Sequence, residues 1–370
     1  MSIFLTKTAT ALGELGSLLP AWRDLARAAP IPSSPTWALT WWKTFGEGRS
    51  LRVLFALDGA KLIGVLAMSE RRLVVRAVPR RRLELLGTGE PEADELNGDC
   101  VGPVFAKGCE ERAGDAFAAE LVRYAAAWDE LHFAQMDGAA RGTVALEEAL
   151  AAHGLAVRET PRGQCPKASL PPTWEDFVAT LSPEGRARVE PAAKRLDDEG
   201  SAASGVSPAK VDHDDDVELR SLQNDFARLG DGRFQPGPQN RFRAFHDAAL
   251  AELASEERLA RTRISSDGAA VAVGLAWRTG GGTFVYATAT SSLEGLETML
   301  HVAMVRRAIA LGQTHFEFQN GVTRERTLLC GGKARRVVNV SAPSPSLRGQ
   351  LVGRASRATL LLQSLRKNLR

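Results

Sequence analysis

Asp267-Gly268-Ala269, followed by Ala270-Val271-Ala272-Val273-Gly274-Leu275-Ala276-Trp277, reads as a tight turn opening an apolar strand. Asp-Gly tolerates the positive-φ conformations that short hairpins require. The same pattern occurs earlier, where Asp58-Gly59-Ala60 opens Lys61-Leu62-Ile63-Gly64-Val65-Leu66-Ala67-Met68. Further along, His132-Phe133-Ala134-Gln135-Met136-Asp137-Gly138 parallels His315-Phe316-Glu317-Phe318-Gln319-Asn320-Gly321. An alanine-containing helical segment precedes each His-Phe strand, from Ala116 to Ala127 and from Met299 to Leu311. Two matched segments in the same order, each pair separated by a helix, predict an internal duplication. The fold class is therefore α/β, of α+β mixed-sheet character, in two pseudo-repeated halves.

The boundaries follow from composition. Pro161 to Pro172 holds four prolines and a glycine and reads as the connector. This places one half at residues 1–170 and the other at 171–345, with a separate tail at 346–370. The tail carries Arg348, Arg354, Arg357, Arg366, Lys367 and Arg370 without an acidic residue, and its leucines recur at helical spacing. It reads either as a terminal helix docked on its own protein or as a basic amphipathic helix on a membrane surface or a partner. Gly230 to Pro238 is a loop inside the second half and a candidate active-site lid.

With 370 residues, 44% of them hydrophobic and 25% charged, the chain can bury a real core in two domains. The 47 basic and 44 acidic residues nearly balance, so a nucleic-acid partner is not expected. The four cysteines form no Cys-x-x-Cys pair and read as free thiols in a reducing compartment, with no metal site. Met1 to Trp22 lacks the form of a signal peptide, and no apolar run of about 20 residues exists, so the expected localisation is cytoplasmic. His213 among Asp212, Asp214, Asp215 and Asp216 reads as a solvated charge run, and Arg80-Arg81-Arg82 as a solvated basic turn. Trp37, Trp41 and Trp42 read as a buried helix stripe.

Ser34-Pro35-Thr36-Trp37-Ala38-Leu39-Thr40-Trp41-Trp42-Lys43-Thr44-Phe45-Gly46 resembles the N-terminal signature of the CelD-like acetyltransferases. These are GNAT-fold proteins linked to cellulose or other exopolysaccharide production. Leu85-Leu86-Gly87-Thr88-Gly89-Glu90 looks like the Gly-Thr-Gly-Glu stretch of that family. Leu181-Ser182-Pro183, with Arg186, Arg188, Lys194, Arg195 and Leu196, looks like its basic helix. The resemblance runs from about Ser34 to Val340. It implies a tandem GNAT-like fold, related to the Fem-type transferases, and acyl transfer from acetyl-CoA or another acyl-CoA to an amine or hydroxyl of a small-molecule or saccharide acceptor.

In such sites a strand offers backbone groups to pantetheine, and the next helix offers its N-terminal N–H groups to the pyrophosphate. The resemblance puts these roles on Val271, Ala272 and Val273 and on the helix start at Thr298 and Met299. The family's Ser-Pro-Gly-like turn falls on Leu296-Glu297, with Gly295 just upstream, and its Tyr-Lys pair on Glu325-Arg326. Strand alternation sets His315, Glu317 and Gln319 on one face and Phe316 and Phe318 on the other. Glu317, Tyr286 and Arg326 are thus the catalytic candidates, and His315, Gln319 and Trp277 the acceptor-side candidates. The carboxylates at Glu297 and Glu325 and the missing tyrosine support an alternative, a catalytically degenerate tandem-GNAT binding or scaffold protein.

Overall fold

The computed structural model describes residues 4–75, 78–96, 98–197 and 209–353. In chain order the first half runs β1 (Phe4–Ala9), α1 (Leu19–Leu25), α2 (Pro35–Phe45), β2 (Arg49–Asp58), β3 (Lys61–Val75), β4 (Val78–Leu85), β5 (Val104–Phe105), α3 (Glu110–Arg123), β6 (Glu130–Asp137), α4 (Arg141–Ala152) and β7 (Arg158–Ser169). It continues α5 (Trp174–Thr180), α6 (Pro183–Asp197), β8 (Lys210–His213), α7 (Leu219–Arg228), α8 (Arg241–Ser255), β9 (Leu259–Ser266), β10 (Ala269–Thr279), β11 (Gly282–Thr290), α9 (Leu296–Ala310), β12 (His315–Glu317), α10 (Arg324–Cys330) and β13 (Ala334–Pro343).

These elements form two compact units that do not divide the chain at one point. One comprises Met1–Glu90, Gly98–Arg162 and Arg336–Arg370, the other Pro91–Asn97 and Gly163–Arg335. In the first unit the strand order is β1-β2-β3-β4-β6-β13, and in the second β7-β12-β11-β10-β9-β8. All pairs in the first unit are antiparallel except β4 with β6, which is parallel through Arg82↔Glu130 to Glu84↔His132. The second unit repeats this, its one parallel pair being β11 with β12. A parallel pair needs a crossover, and a helix supplies it each time, α3 in one unit and α9 in the other.

Both Asp-Gly turns open the predicted hairpins, with different loops. Ser266 pairs with Ala269, so Asp267 and Gly268 are the two loop residues, with φ of 52° and 74°. Asp58 itself pairs with Lys61, so the first loop is Gly59-Ala60. In each unit a glycine on the second hairpin strand lets the crossover helix sit close to the sheet. A Cβ at Gly64 would lie 2.8 Å from Ala113 Cβ of α3, and one at Gly274 would lie 2.6 Å from Met304 Sδ of α9. Each unit builds its own core around this contact, with Phe117, Phe133 and Trp128 in the first and Leu300, Val302 and Phe316 in the second.

Several sequence expectations need correction. Arg80, Arg81 and Arg82 lie on β4 and are not a solvated turn, since Arg81 pairs with the fully buried Asp129 at 3.0 Å and Arg82 with Glu130 at 2.7 Å. Asp214 is 7% exposed and leaves the solvated run. Gly230 to Pro238 is pinned by Phe234, which is fully buried and stacks on Phe226 at 4.7 Å.

Trp37 and Trp41 are fully buried on α2. The Gly-Thr-Gly-Glu stretch closes a polar corner of the first unit, where Trp41 Nε1 donates to Glu90 at 2.9 Å and Arg71 to the Gly89 carbonyl at 3.0 Å. Of the tail, Arg348 pairs with Asp129 at 3.2 Å and Val352 is buried, while Leu347 and Leu351 face solvent. The basic positions Arg354, Arg357, Arg366, Lys367 and Arg370 lie outside the described residues.

Candidate functional site

The second unit carries a local irregularity at β11. Leu275 pairs with Ala287 but Ala276 with Val285, so Tyr286 is an extra residue, a β-bulge. On the other edge β11 meets β12 only through Gly282↔His315, Thr283↔Phe316 and Phe284↔Glu317. Beyond Glu317 the chain keeps its antiparallel pairing with β7, the Phe318 N–H donating to the Pro166 carbonyl at 2.8 Å, while its pairing with β11 stops. From Val285 to Thr290, therefore, β11 has β10 on one side and no strand partner on the other among the described residues. Such an edge offers unpaired backbone donors and acceptors to an extended ligand.

The opened edge leads to the start of α9. Gly295 is the N-cap, at φ 83°, with no side chain capping the first turn. The first intrahelical bond is from the Met299 N–H to the Gly295 carbonyl, at 3.0 Å. The preceding N–H groups are left to solvent or a ligand, at the positive end of the helix dipole. Arg195 of α6 adds a cation there, since a Cβ on Gly295 would sit 3.3 Å from its Nη1. Two carboxylates oppose this. Glu297 is exposed in the first turn, and Glu325 of α10 approaches from beneath.

Thr298 is buried and its hydroxyl donates to Glu325 Oε1. His301, one turn further and fully buried, has Nδ1 3.8 Å from the same oxygen, beyond hydrogen-bond length. The His301 ring, and less strongly the Thr298 hydroxyl, hold the Glu325 carboxyl below its usual range against the opposing effect of burial. Neither His301 ring nitrogen finds a hydrogen-bond partner among the described residues. Met299 is buried beside them.

The other predicted residues fall into separate settings. Val271, Ala272 and Val273 lie on β10, which is hydrogen-bonded along both edges, so the free strand edge is that of β11. Glu317 does not face a wet groove, being 2% exposed and held by Arg335, whose Nε and Nη2 reach Oε1 at 2.8 and 2.7 Å. His315 is half-buried, with its ring edge-on to Phe284, and burial plus the nearby Lys167 lower its pKa. Gln319 is half-buried just past β12. Arg326 lies on α10 with Nη1 donating to the Gly321 carbonyl at 3.3 Å. Cys330 closes α10, and burial pushes its thiol up to about 12, so it is no thiolate nucleophile near neutrality.

Tyr286 and Trp277 are buried, with their ring centroids 4.5 Å apart and the planes tilted by 39°. The Tyr286 oxygen lies 2.7 Å from His246 Nε2, and His246 Nδ1 lies 2.7 Å from the Phe242 carbonyl oxygen. A carbonyl can only accept, so Nδ1 carries the imidazole proton and the tyrosine hydroxyl donates to Nε2. The single phenolic proton is committed to His246. Burial lowers the His246 pKa to about 4, which also makes it a weak base at neutral pH.

That shift has a stability consequence. The folded pKa lies below the unfolded one of about 6.5, so between the two the unfolded chain binds the proton and the native chain does not. This contribution is complete above about pH 6.5 and is lost as pH falls toward 4, about 3 kcal/mol in all. Urea midpoints measured from pH 7 to pH 4 should fall accordingly, and His246→Gln should remove that component of the slope.

The Gly295, Arg195 and His301 positions lie within a match to a known family model. Residues 183–326, under half of the chain, match the model of the acetyltransferase (GNAT) domain. Comparison with curated protein sequences returned no match. Among solved structures, the chain is similar to FemX at 10% identity and TM-score 0.59, covering 90% of this chain and 96% of that one. It is similar to the C-terminal (DUF2156) domain of a protein assigned as lysylphosphatidylglycerol synthetase from Agrobacterium fabrum, at 10% identity and TM-score 0.53, covering 91% and 95%. A protein of unknown function from Bacteroides thetaiotaomicron matches at 12% identity and TM-score 0.50, covering 92% and 100%. The architecture is thus a tandem of GNAT-type units of mixed α/β structure. Among the described residues no group of His, Cys, Asp and Glu could hold a metal ion, and no helix is long and apolar enough to cross a membrane.

Proposed function

We propose that the second unit is an acyl-CoA-dependent N- or O-acyltransferase, with acetyl-CoA or another acyl-CoA as donor. The observation that carries this reading is the bulge at Tyr286 together with the unpaired edge from Val285 to Thr290, which leads straight to the uncapped start of α9. The β11 edge would take the amide groups of pantetheine, and the N–H groups after Gly295, with Arg195, the pyrophosphate. Thr298 and Met299 support that helix turn from below. The acceptor would be a sugar, an amine or a polysaccharide precursor, in keeping with the CelD-like resemblance, and the setting cytoplasmic. The tail at 346–370 would supply any peripheral membrane or protein contact.

Within this reading the polar groups nearest the start of α10 are Arg326, Glu325 and His301, with His315 and Gln319 on the acceptor side. Glu317 and Tyr286 act through structure, as a buried ion pair and a buried hydrogen bond. The degenerate-scaffold reading is favoured by one specific observation, the carboxylates of Glu297 and Glu325 at the helix end where a pyrophosphate would sit.

Isothermal titration calorimetry of the full chain with acetyl-CoA separates the two. The enzyme reading expects saturable binding with a dissociation constant at or below about 1 mM, near the upper end of ordinary KM values. It also expects release of free CoA thiol when an acceptor panel of amines and sugars is supplied. Absence of binding at millimolar ligand would leave the scaffold reading standing; binding without turnover on any acceptor would do so too.

A further inference from the structure

We propose that a polar cavity at the C-terminal end of α9 binds a small oxyanion, a carboxylate or a phosphate carried by a small molecule. The cavity holds about 380 Å³ and is lined by Asp214, Arg261, Arg278, Arg307, Glu257 and Gln313 among others. Arg307 lies about three turns from Gly295, so the cavity is separate from the proposed donor seat at the start of the helix.

Two guanidinium groups, those of Arg278 and Arg307, converge on the Asp214 carboxylate there, and a third, that of Arg261, lines the cavity beside them. Arg307 donates to Asp214 Oδ2 through Nε at 2.9 Å and Nη2 at 2.7 Å, and Arg278 Nη1 reaches the same oxygen at 3.3 Å. Asp214 Oδ1 accepts from the Arg261 backbone N–H at 3.3 Å, and the Arg261 side chain is tied to Asp215 at 2.7 Å and to the Val217 carbonyl at 2.8 Å. Asp214 is held in the left-handed backbone region, at φ 49°, which costs a non-glycine residue energy. A strained residue has been fixed where its carboxylate can hold like charges together.

Donor capacity remains after these bonds. Arg278 uses Nη1 alone in the cluster and Arg307 leaves Nη1 unused, while Arg261 Nε and Gln313 Oε1 are buried without a hydrogen-bond partner among the described residues. The Gln313 amide can turn to donate. The three arginines face three carboxylates, Asp214, Asp215 and Glu257, of which the last two are exposed, so the lining is balanced in charge and a ligand would be held by the directed donors left over. Planar guanidinium forks match carboxylate and phosphate oxygens, and Asp214 already displays the geometry such a ligand would copy. The proposed acyl transfer uses none of these residues.

The test is calorimetry and thermal unfolding of the full chain with inorganic phosphate and with succinate as separate probes, at an ionic strength held constant with chloride. At least one probe should bind saturably and raise Tm as its concentration rises. A response to phosphate alone identifies a phosphate ligand, to succinate alone a carboxylate, and to both an oxyanion site of either kind. Arg278→Gln should weaken the response about tenfold or more, the scale of a lost charge-assisted fork. Should that chain fail to fold, Arg278→Lys keeps the charge without the fork and should weaken binding less. Asp214→Asn keeps a side chain that tolerates left-handed backbone and removes the tethered competitor, so it should bind the probe more tightly than the wild type. A wild-type chain that responds to neither probe, an Arg278 variant that binds as wild type, or an Asp214→Asn chain that binds no more tightly would each overturn the proposal.

Discussion

Glu317→Ala is expected to lower the free energy of unfolding by about 3–5 kcal/mol, a large share of the total for an ordinary domain. The carboxylate is 2% exposed and the Arg335 side chain 8%, and two Arg335 nitrogens lie within 2.8 Å of one carboxylate oxygen. Deleting the carboxylate leaves a guanidinium in a site built for a pair, and the loss is dominated by that stranded charge. Replacing both partners by apolar residues, Glu317→Met with Arg335→Met, should recover most of the loss, because the pair stabilises little beyond its own desolvation. Denaturant unfolding of the two single variants and the double variant checks this as a double-mutant cycle. A Glu317→Ala chain within about 1 kcal/mol of wild type would mean the ion pair is not as described. Glu317→Gln separates structure from chemistry: a base would lose turnover with this change even where the fold holds, and a structural pair would lose stability first.

The same residue shows where sequence reading stops. Alternation along His315, Glu317 and Gln319 placed Glu317 opposite the phenylalanines, but it cannot say what lies across that face. The partner Arg335 is 18 residues away on β13, beyond a helix and a turn. Local signals did better. The Asp-Gly turns, the His-Phe strands and the tryptophan stripe on α2 are encoded within a few residues each; the duplicated α/β architecture implied by the turns and strands, and the tandem GNAT-like fold implied by the family resemblance, are what is found. Tyr286 was legible as a strand residue near the site, whereas the bulge that isolates it follows from register with β10, which no single strand reveals. His246 gave no signal at all, since its role rests on a tyrosine 40 positions away. The exchange of Arg336–Arg370 into the unit of the first 90 residues is of the same kind: nothing local in β13 names its partner β6.

Arg195→Glu is the change expected to weaken acetyl-CoA most while leaving the fold intact. Arg195 sits on the exposed side of α6, with its Nη1 beside Gly295 at the start of α9. In the donor-binding reading it supplies one of the few positive charges near the pyrophosphate, alongside the helix N–H groups. Reversal removes an attraction and adds a repulsion at the same point, so the dissociation constant should rise about 100-fold, equivalent to about 2.7 kcal/mol. Stability should change little, because an acidic side chain is favourable near the start of α9 by roughly 0.3–1 kcal/mol but unfavourable by a similar amount in the last turn of α6, where Arg195 stands. Arg195→Ala should fall between wild type and the reversal. The weakening should shrink as salt is added, since an exposed charge pair is screened, whereas a loss caused by misfolding would not. Titration at two salt concentrations, with Tm recorded for each chain, distinguishes these cases. Equal acetyl-CoA affinity in wild type and Arg195→Glu would show that the start of α9 is not the pyrophosphate seat, and that Glu297 and Glu325 already fill its positive end.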